Sequence, residues 1–208
     1  MAPEPLTQRP LDLVYVCYFL SHIPATVILG TQALYPQSES LLPSAIARLP
    51  RMYIEMSQDP LIGSALGLIS SRESSTWFVS LLAVEVFFQL PVFIIGTLAL
   101  RKDCKKIYVL LLIYGASTVT TFIPSLAVLF STPLTSPETI AKHIVSVTAE
   151  QKVMLLSSYI PFFLVSLVMT IDMAARIYKL VHSGLQAQQA TKSRWRHNND
   201  LLQTHAAI

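Results

Sequence analysis

The stretch AVEVFFQLPVF, residues 83–93, sets a carboxylic acid, Glu85, and a carboxamide, Gln89, four residues apart in a run with no other charge. That spacing puts both on one face of a helix. An acid in such surroundings pairs with a cation, exchanges a proton, or hydrogen-bonds a polar group in an interior cavity. Other apolar runs carry polar side chains of the same kind. His22 supplies an imidazole, Tyr114, Ser117, Thr118 and Thr121 form one helical stripe, and Ser158, Tyr159 and Phe162 add hydroxyls and a ring. Two states of Glu85 stay open at this stage. It is protonated and hydrogen-bonded, or it is ionised opposite a bound amine or a protonated His22, because no Lys or Arg lies in the apolar body of any run. For the Ser and Thr residues alone, adhesion between helices is the simpler role. Asp172 has Arg176 at i+4, so a local ion pair accounts for it.

The elements that hold these groups follow from composition. Of 208 residues, 52% are hydrophobic and only 13% charged, with mean hydropathy +0.53; soluble domains carry about 25% charged residues. Four stretches, 11–34, 77–100, 107–130 and 153–178, reach the roughly 20 residues that cross a bilayer as helix, where the backbone must satisfy its own hydrogen bonds. The predicted fold is all-α with four transmembrane helices. The first stretch is too long for a signal-peptide core and has only Arg9 as a basic flank. Ten of the fifteen Lys and Arg fall on the side of the termini and the 101–106 connection, which predicts cytosolic termini. The 35–76 and 131–152 connections then face the lumen or exterior. PLIGSALGLI, residues 60–69, is too short to cross and reads as a capping or re-entrant segment. Residues 1–10 form a cytosolic N-terminus. Residues 180–208 form a basic tail, expected to be disordered and to lie near anionic headgroups. Cys17 and Cys104 lack metal-ligand spacing and read as free thiols. No metal, cofactor or nucleic-acid partner is expected.

Each span carries one interior proline: Pro24, Pro91, Pro124 and Pro161, in the phrases HIP, QLP, FIP and YIP. Proline removes a helical hydrogen bond and crowds the carbonyl four residues earlier. Kinked helices splayed around a cavity, with the polar groups converging at its depth, are the expectation.

The phrases YFLSHIP, QDPL, EVFFQLP, TTFIP and SYIP, in this order across residues 12–179, resemble the sigma-2 receptor (transmembrane protein 97) family of EXPERA-domain proteins. Emopamil-binding sterol isomerase is a distant relative in that group. The resemblance implies a four-helix endoplasmic reticulum membrane protein, often a homodimer, with a bilayer-facing pocket for sterols and lipophilic amines. Carried over, Glu85 matches the pocket's buried acid and Asp59 the loop acid that shapes it. His22, Gln89, Tyr114, Thr121 and Tyr159 match lining positions. The family's amine-binding aspartate falls at Gly30, which removes a counter-ion for cationic ligands. The long loop and the tail resemble a fungal member, such as efficient mitochondria targeting-associated protein 19.

The resemblance implies a non-enzymatic sterol-binding protein that regulates intracellular sterol distribution. Assistance to mitochondrial precursor targeting or quality control is the alternative. A sterol double-bond isomerase is a second alternative, with Glu85, Asp59 and His22 as candidate groups, but the spans offer no second acid opposite Glu85. A channel would need a ring of charges or a filter motif, and neither is present.

Overall fold

The structure, a computed structural model, describes residues 4–35 and 43–206, with side chains described as far as residue 196. The predicted segments 1–10, 35–76 and 180–208 therefore fall partly outside the described residues. Four helices are long and apolar enough to span a membrane: Pro10–Leu34, Arg72–Arg101, Lys105–Ser131 and Ala149–Arg196. No strand occurs among the described residues. The chain is a multi-pass, all-α membrane protein.

An even number of crossings brings both termini to one side, and the ion pairs there close the bundle. Arg9 donates to Asp12 Oδ2 at 2.5 Å and to the Leu100 carbonyl at 2.8 Å. Arg176 Nη1 lies 2.7 Å from Asp12 Oδ1 and its Nη2 lies 2.8 Å from Asp172 Oδ2. Tyr15 donates to Asp172 at 3.1 Å. One network thus ties the start of the first span to the ends of the second and fourth. The Asp172–Arg176 pair read from the spacing is present, but its centre is Asp12, which is fully buried and was not singled out in the sequence.

On the opposite side, Arg72 donates to the Ala33 carbonyl, joining the first and second spans. Lys152 donates to the Phe130 and Thr132 carbonyls at 3.0 and 2.8 Å, joining the third and fourth. The long connection folds into two helices, Ser44–Ser57 and Pro60–Ala65. Every residue of the second is buried, so the 60–69 segment is a cap on the bundle and not a fifth span. Asp59 starts that helix by accepting from Leu61 N and Ile62 N, and Pro60 at the first position costs no hydrogen bond.

Apolar packing gathers in two clusters. Tyr15, Phe19, Phe93, Leu111, Tyr114 and Met169 lie toward the termini, while Ile54, Leu61, Ile62, Phe78, Leu82 and Leu129 lie toward the loops. Close approach of the third and fourth spans depends on Gly115, where an added Cβ would sit 2.5 Å from Thr170 Oγ1 and 3.2 Å from the Ser166 carbonyl.

The prolines divide into two kinds. Pro124 and Pro161 lie inside helices that continue unbroken on both sides. Pro24 is followed by a π-helical turn, Thr26–Gly30, and Pro91 is preceded by another, Glu85–Gln89. Such wide turns leave the backbone less regular and recur at functional sites. The tail corrects an expectation: the fourth helix runs on through Ala206. Residues 186–196 are rich in Ala, Gln, Lys and Arg, which form helix well without burial, and all of them are exposed.

Candidate functional site

The two π turns face each other. Thr26 Oγ1 donates to Glu85 Oε1 at 2.5 Å, and Gly30 meets Val86, whose Cγ2 lies 2.9 Å from where a Cβ would be. Beside this junction is a cavity of about 290 Å³, lined among others by His22, Glu85, Gln89, Thr121, Ser158 and Tyr159. Its size lies near the small end of ligand cavities, roughly 300–1,000 Å³. Leu29, Ile62, Phe78, Leu81, Leu82 and Phe122 make its walls apolar. Among its lining residues, Ser21 and Ala25 of the first span and Ser158 of the fourth are exposed, which marks a side opening between those spans.

His22 gives the polar end its character. Its ring packs edge-on to Phe162 at 4.4 Å and lies 4.8 Å from the Tyr18 ring. Neither ring nitrogen has a hydrogen-bond partner among the described residues. Nδ1 is 4.0 Å from Glu85 Oε1, too far for a hydrogen bond. An imidazole that can donate and accept, an acid and an amide therefore border one apolar space. That arrangement can hold a hydroxyl or carbonyl on a largely apolar molecule.

Five of the seven predicted site residues line the cavity: His22, Glu85, Gln89, Thr121 and Tyr159. Tyr114 does not. It is fully buried in the terminal-side core, its hydroxyl bonded to Tyr18 at 2.9 Å and its ring against Phe19 and Phe93. The stripe periodicity located its helix face correctly, but the residue sits nearer the termini than the cavity.

Asp59 is also absent from the lining and stands behind it. Tyr53 and Tyr159 each donate to its Oδ2 at 2.8 Å, and backbone N–H groups of Leu61 and Ile62 donate to Oδ1 at 2.8 and 3.1 Å. Burial pushes its carboxyl above the ordinary carboxylate range, and these four donors oppose that rise. Asp59 thereby fixes Tyr53 and Tyr159, both of which line the cavity.

Sequence reasoning missed Thr26, the partner of Glu85, and Tyr53, which reaches the cavity from the loop. Thr26 stands two residues after Pro24 in an otherwise apolar turn, which was the available signal. Tyr53 gave none, because only the folded loop brings it in.

Residues 45–173 match the profile described as EXPERA (EXPanded EBP superfamily), a stretch covering more than half of the chain. The chain belongs to the EXPERA family. Among relatives of this EXPERA protein, the sigma intracellular receptor 2 of Homo sapiens is 33% identical over 175 residues, 84% of this chain and 93% of the receptor. The efficient mitochondria targeting-associated protein 19 of Schizosaccharomyces pombe (strain 972 / ATCC 24843) is 30% identical over 189 residues, 90% of this chain and 87% of that protein. Both similarities extend over most of each chain, so they concern the whole bundle and not one motif. In this EXPERA member Gly30 is enclosed where the first two spans meet, and its closeness to Val86 leaves no room for a larger residue without adjustment.

Proposed function

We propose that this EXPERA protein binds a sterol or a similar lipophilic molecule in the intramembrane cavity and so regulates the distribution of that lipid. The supporting observation is the cavity itself: apolar walls, one polar end, and two unpartnered His22 nitrogens within it. A rigid apolar ligand bearing one hydroxyl fits that division. The hydroxyl bonds His22, Glu85 or Gln89, and the side opening between the first and fourth spans admits it from the bilayer. With glycine at position 30, a neutral ligand suits the site better than a cation. We place the protein in the endoplasmic reticulum membrane on the family resemblance, with both termini cytosolic on the excess of Lys and Arg on that side.

The protein acts by binding and not by catalysis. This reading follows the sigma intracellular receptor 2, whose name is that of a receptor; among the described residues of the lining Glu85 is the one carboxylate. Moving a double bond requires one group to deliver a proton and another to remove one. The test is mass spectrometry of lipids that co-purify with the detergent-extracted protein, followed by incubation with that lipid. An enriched sterol returned unchanged is the expected result. A sterol recovered as its double-bond isomer would assign catalysis, and no enriched lipid would remove the binding reading.

A second reading rests on the relative named for efficient mitochondria targeting, at 30% identity over most of the chain. On that reading the bundle serves precursor delivery or quality control. Co-purification of precursor proteins in place of lipid would favour it.

A further inference from the structure

The loop helix Ser44–Ser57 has three distinct faces. Ala47, Pro50, Ile54 and Ser57 recur at intervals of three and four and are buried against the bundle. Ser44, Arg48, Arg51 and Glu55 make a narrow polar strip. Ala45, Leu49, Met52 and Met56 make a third strip, which is apolar and exposed; Met52 and Met56 are each 60% accessible. Facing water, that third strip would be costly.

The depth of the helix says what covers it. It packs on the π turn Thr26–Gly30 of the first span and on the fourth span. Thr26 stands about 24 Å along the helix from Pro10, at ~1.5 Å per residue, whereas the hydrocarbon core is about 30 Å thick. On the fourth span, Gln151 donates to the Met56 carbonyl at 3.2 Å. Val27 and Val153, on the two spans this helix packs against, are exposed as well. A helix with an apolar strip beside a charged one lies in the boundary between headgroups and acyl chains.

We propose that Ser44–Ser57 is an interfacial helix docked in the leaflet opposite the termini. Acyl chains cover Ala45, Leu49, Met52 and Met56, and the Arg48–Glu55 strip faces the headgroups and water. Its opposite side carries Tyr53 to the cavity, so this helix roofs the side opening and is held there by lipid. The proposal rests on the spans crossing a bilayer and not on the identity of any ligand, so a failure to find bound sterol does not bear on it.

The test is nitroxide labelling of the full chain in phosphatidylcholine vesicles. Both native cysteines, which are free and exposed, are first replaced by serine. Single labels then go on as Met52→Cys, Met56→Cys, Arg48→Cys and Glu55→Cys, with Ala45→Cys and Leu49→Cys as independent readings of the apolar strip. Collision rates are measured with oxygen, which partitions into lipid, and with a water-soluble nickel chelate. The expected result is oxygen exceeding nickel severalfold at 45, 49, 52 and 56, with the order reversed at 48 and 55. Nickel access at 52 and 56 equal to that at 48 and 55 would put the strip in water and overturn the proposal. Shielding from both agents with label–label broadening would place a second copy there and overturn it equally.

Discussion

Among the described residues Glu85 accepts one hydrogen bond, from Thr26, and keeps acceptor capacity for a ligand. Glutamine preserves shape and can accept from the same hydroxyl, whereas alanine leaves Thr26 unpaired in a buried position. Glu85→Gln is therefore expected to retain folding and sterol binding. Glu85→Ala is expected to lose about 1–3 kcal/mol, the usual cost of an orphaned buried polar group. Thermal stability in detergent and sterol affinity of both variants check this. Equal losses would mean that the negative charge is required and that hydrogen bonding is not the role. Gly30 shows how far one position can be read. That a family aspartate falls at this glycine is what the resemblance implies. The contact with Val86, which accounts for the small size required there, was not legible in the sequence, because it depends on two turns in different spans.

Elements were legible in proportion to their hydrophobic pattern. Four apolar runs of sufficient length identify the spans, since bilayer thickness leaves few alternatives. The π turns beside Pro24 and Pro91 were hidden, because proline announces a disturbed helix without saying how the backbone absorbs it. The fold of the 44–65 loop was equally hidden. Its amphipathic strips divide between protein, lipid and water, and a single hydrophobic periodicity does not separate the first two. The ion network was half visible. Spacing gave Asp172 with Arg176, but Asp12 acquires its second guanidinium only through packing. Removing a partner from a buried pair costs about 3–5 kcal/mol, so Asp12→Ala is expected to destabilise by up to that order, because it removes the buried carboxylate shared by Arg9 and Arg176. Asp172→Ala should cost less, as Arg176 keeps Asp12. Thermal unfolding of the two variants in one detergent decides it; equal shifts would contradict Asp12 as the centre of the network.

The whole molecule divides along its length. The end near the termini is closed by charge and by a packed aromatic core. The end near the loops holds the cavity, its cap and a lipid-docked roof. His22, Glu85, Gln89, Thr121 and Tyr159 meet in that cavity because they share a depth in the bilayer, which spacing and hydropathy report. Tyr114 stands outside it because depth alone does not say which layer of the bundle is packed solid; Asp59, expected from the resemblance to shape the pocket, holds two of the tyrosines that line it. The central claim is that a sterol occupies this cavity and not merely the outer surface of the spans. The most direct measurement is cross-linking of a photoactivatable sterol to the purified, reconstituted protein, with the modified residues located by mass spectrometry. Modification is expected at cavity residues such as Leu29, Leu81, Phe122 and Phe162, lost on competition with unlabelled sterol. Cross-links confined to exposed positions such as Ile95, Leu98, Val109 and Ile113, and unaffected by competitor, would contradict the account.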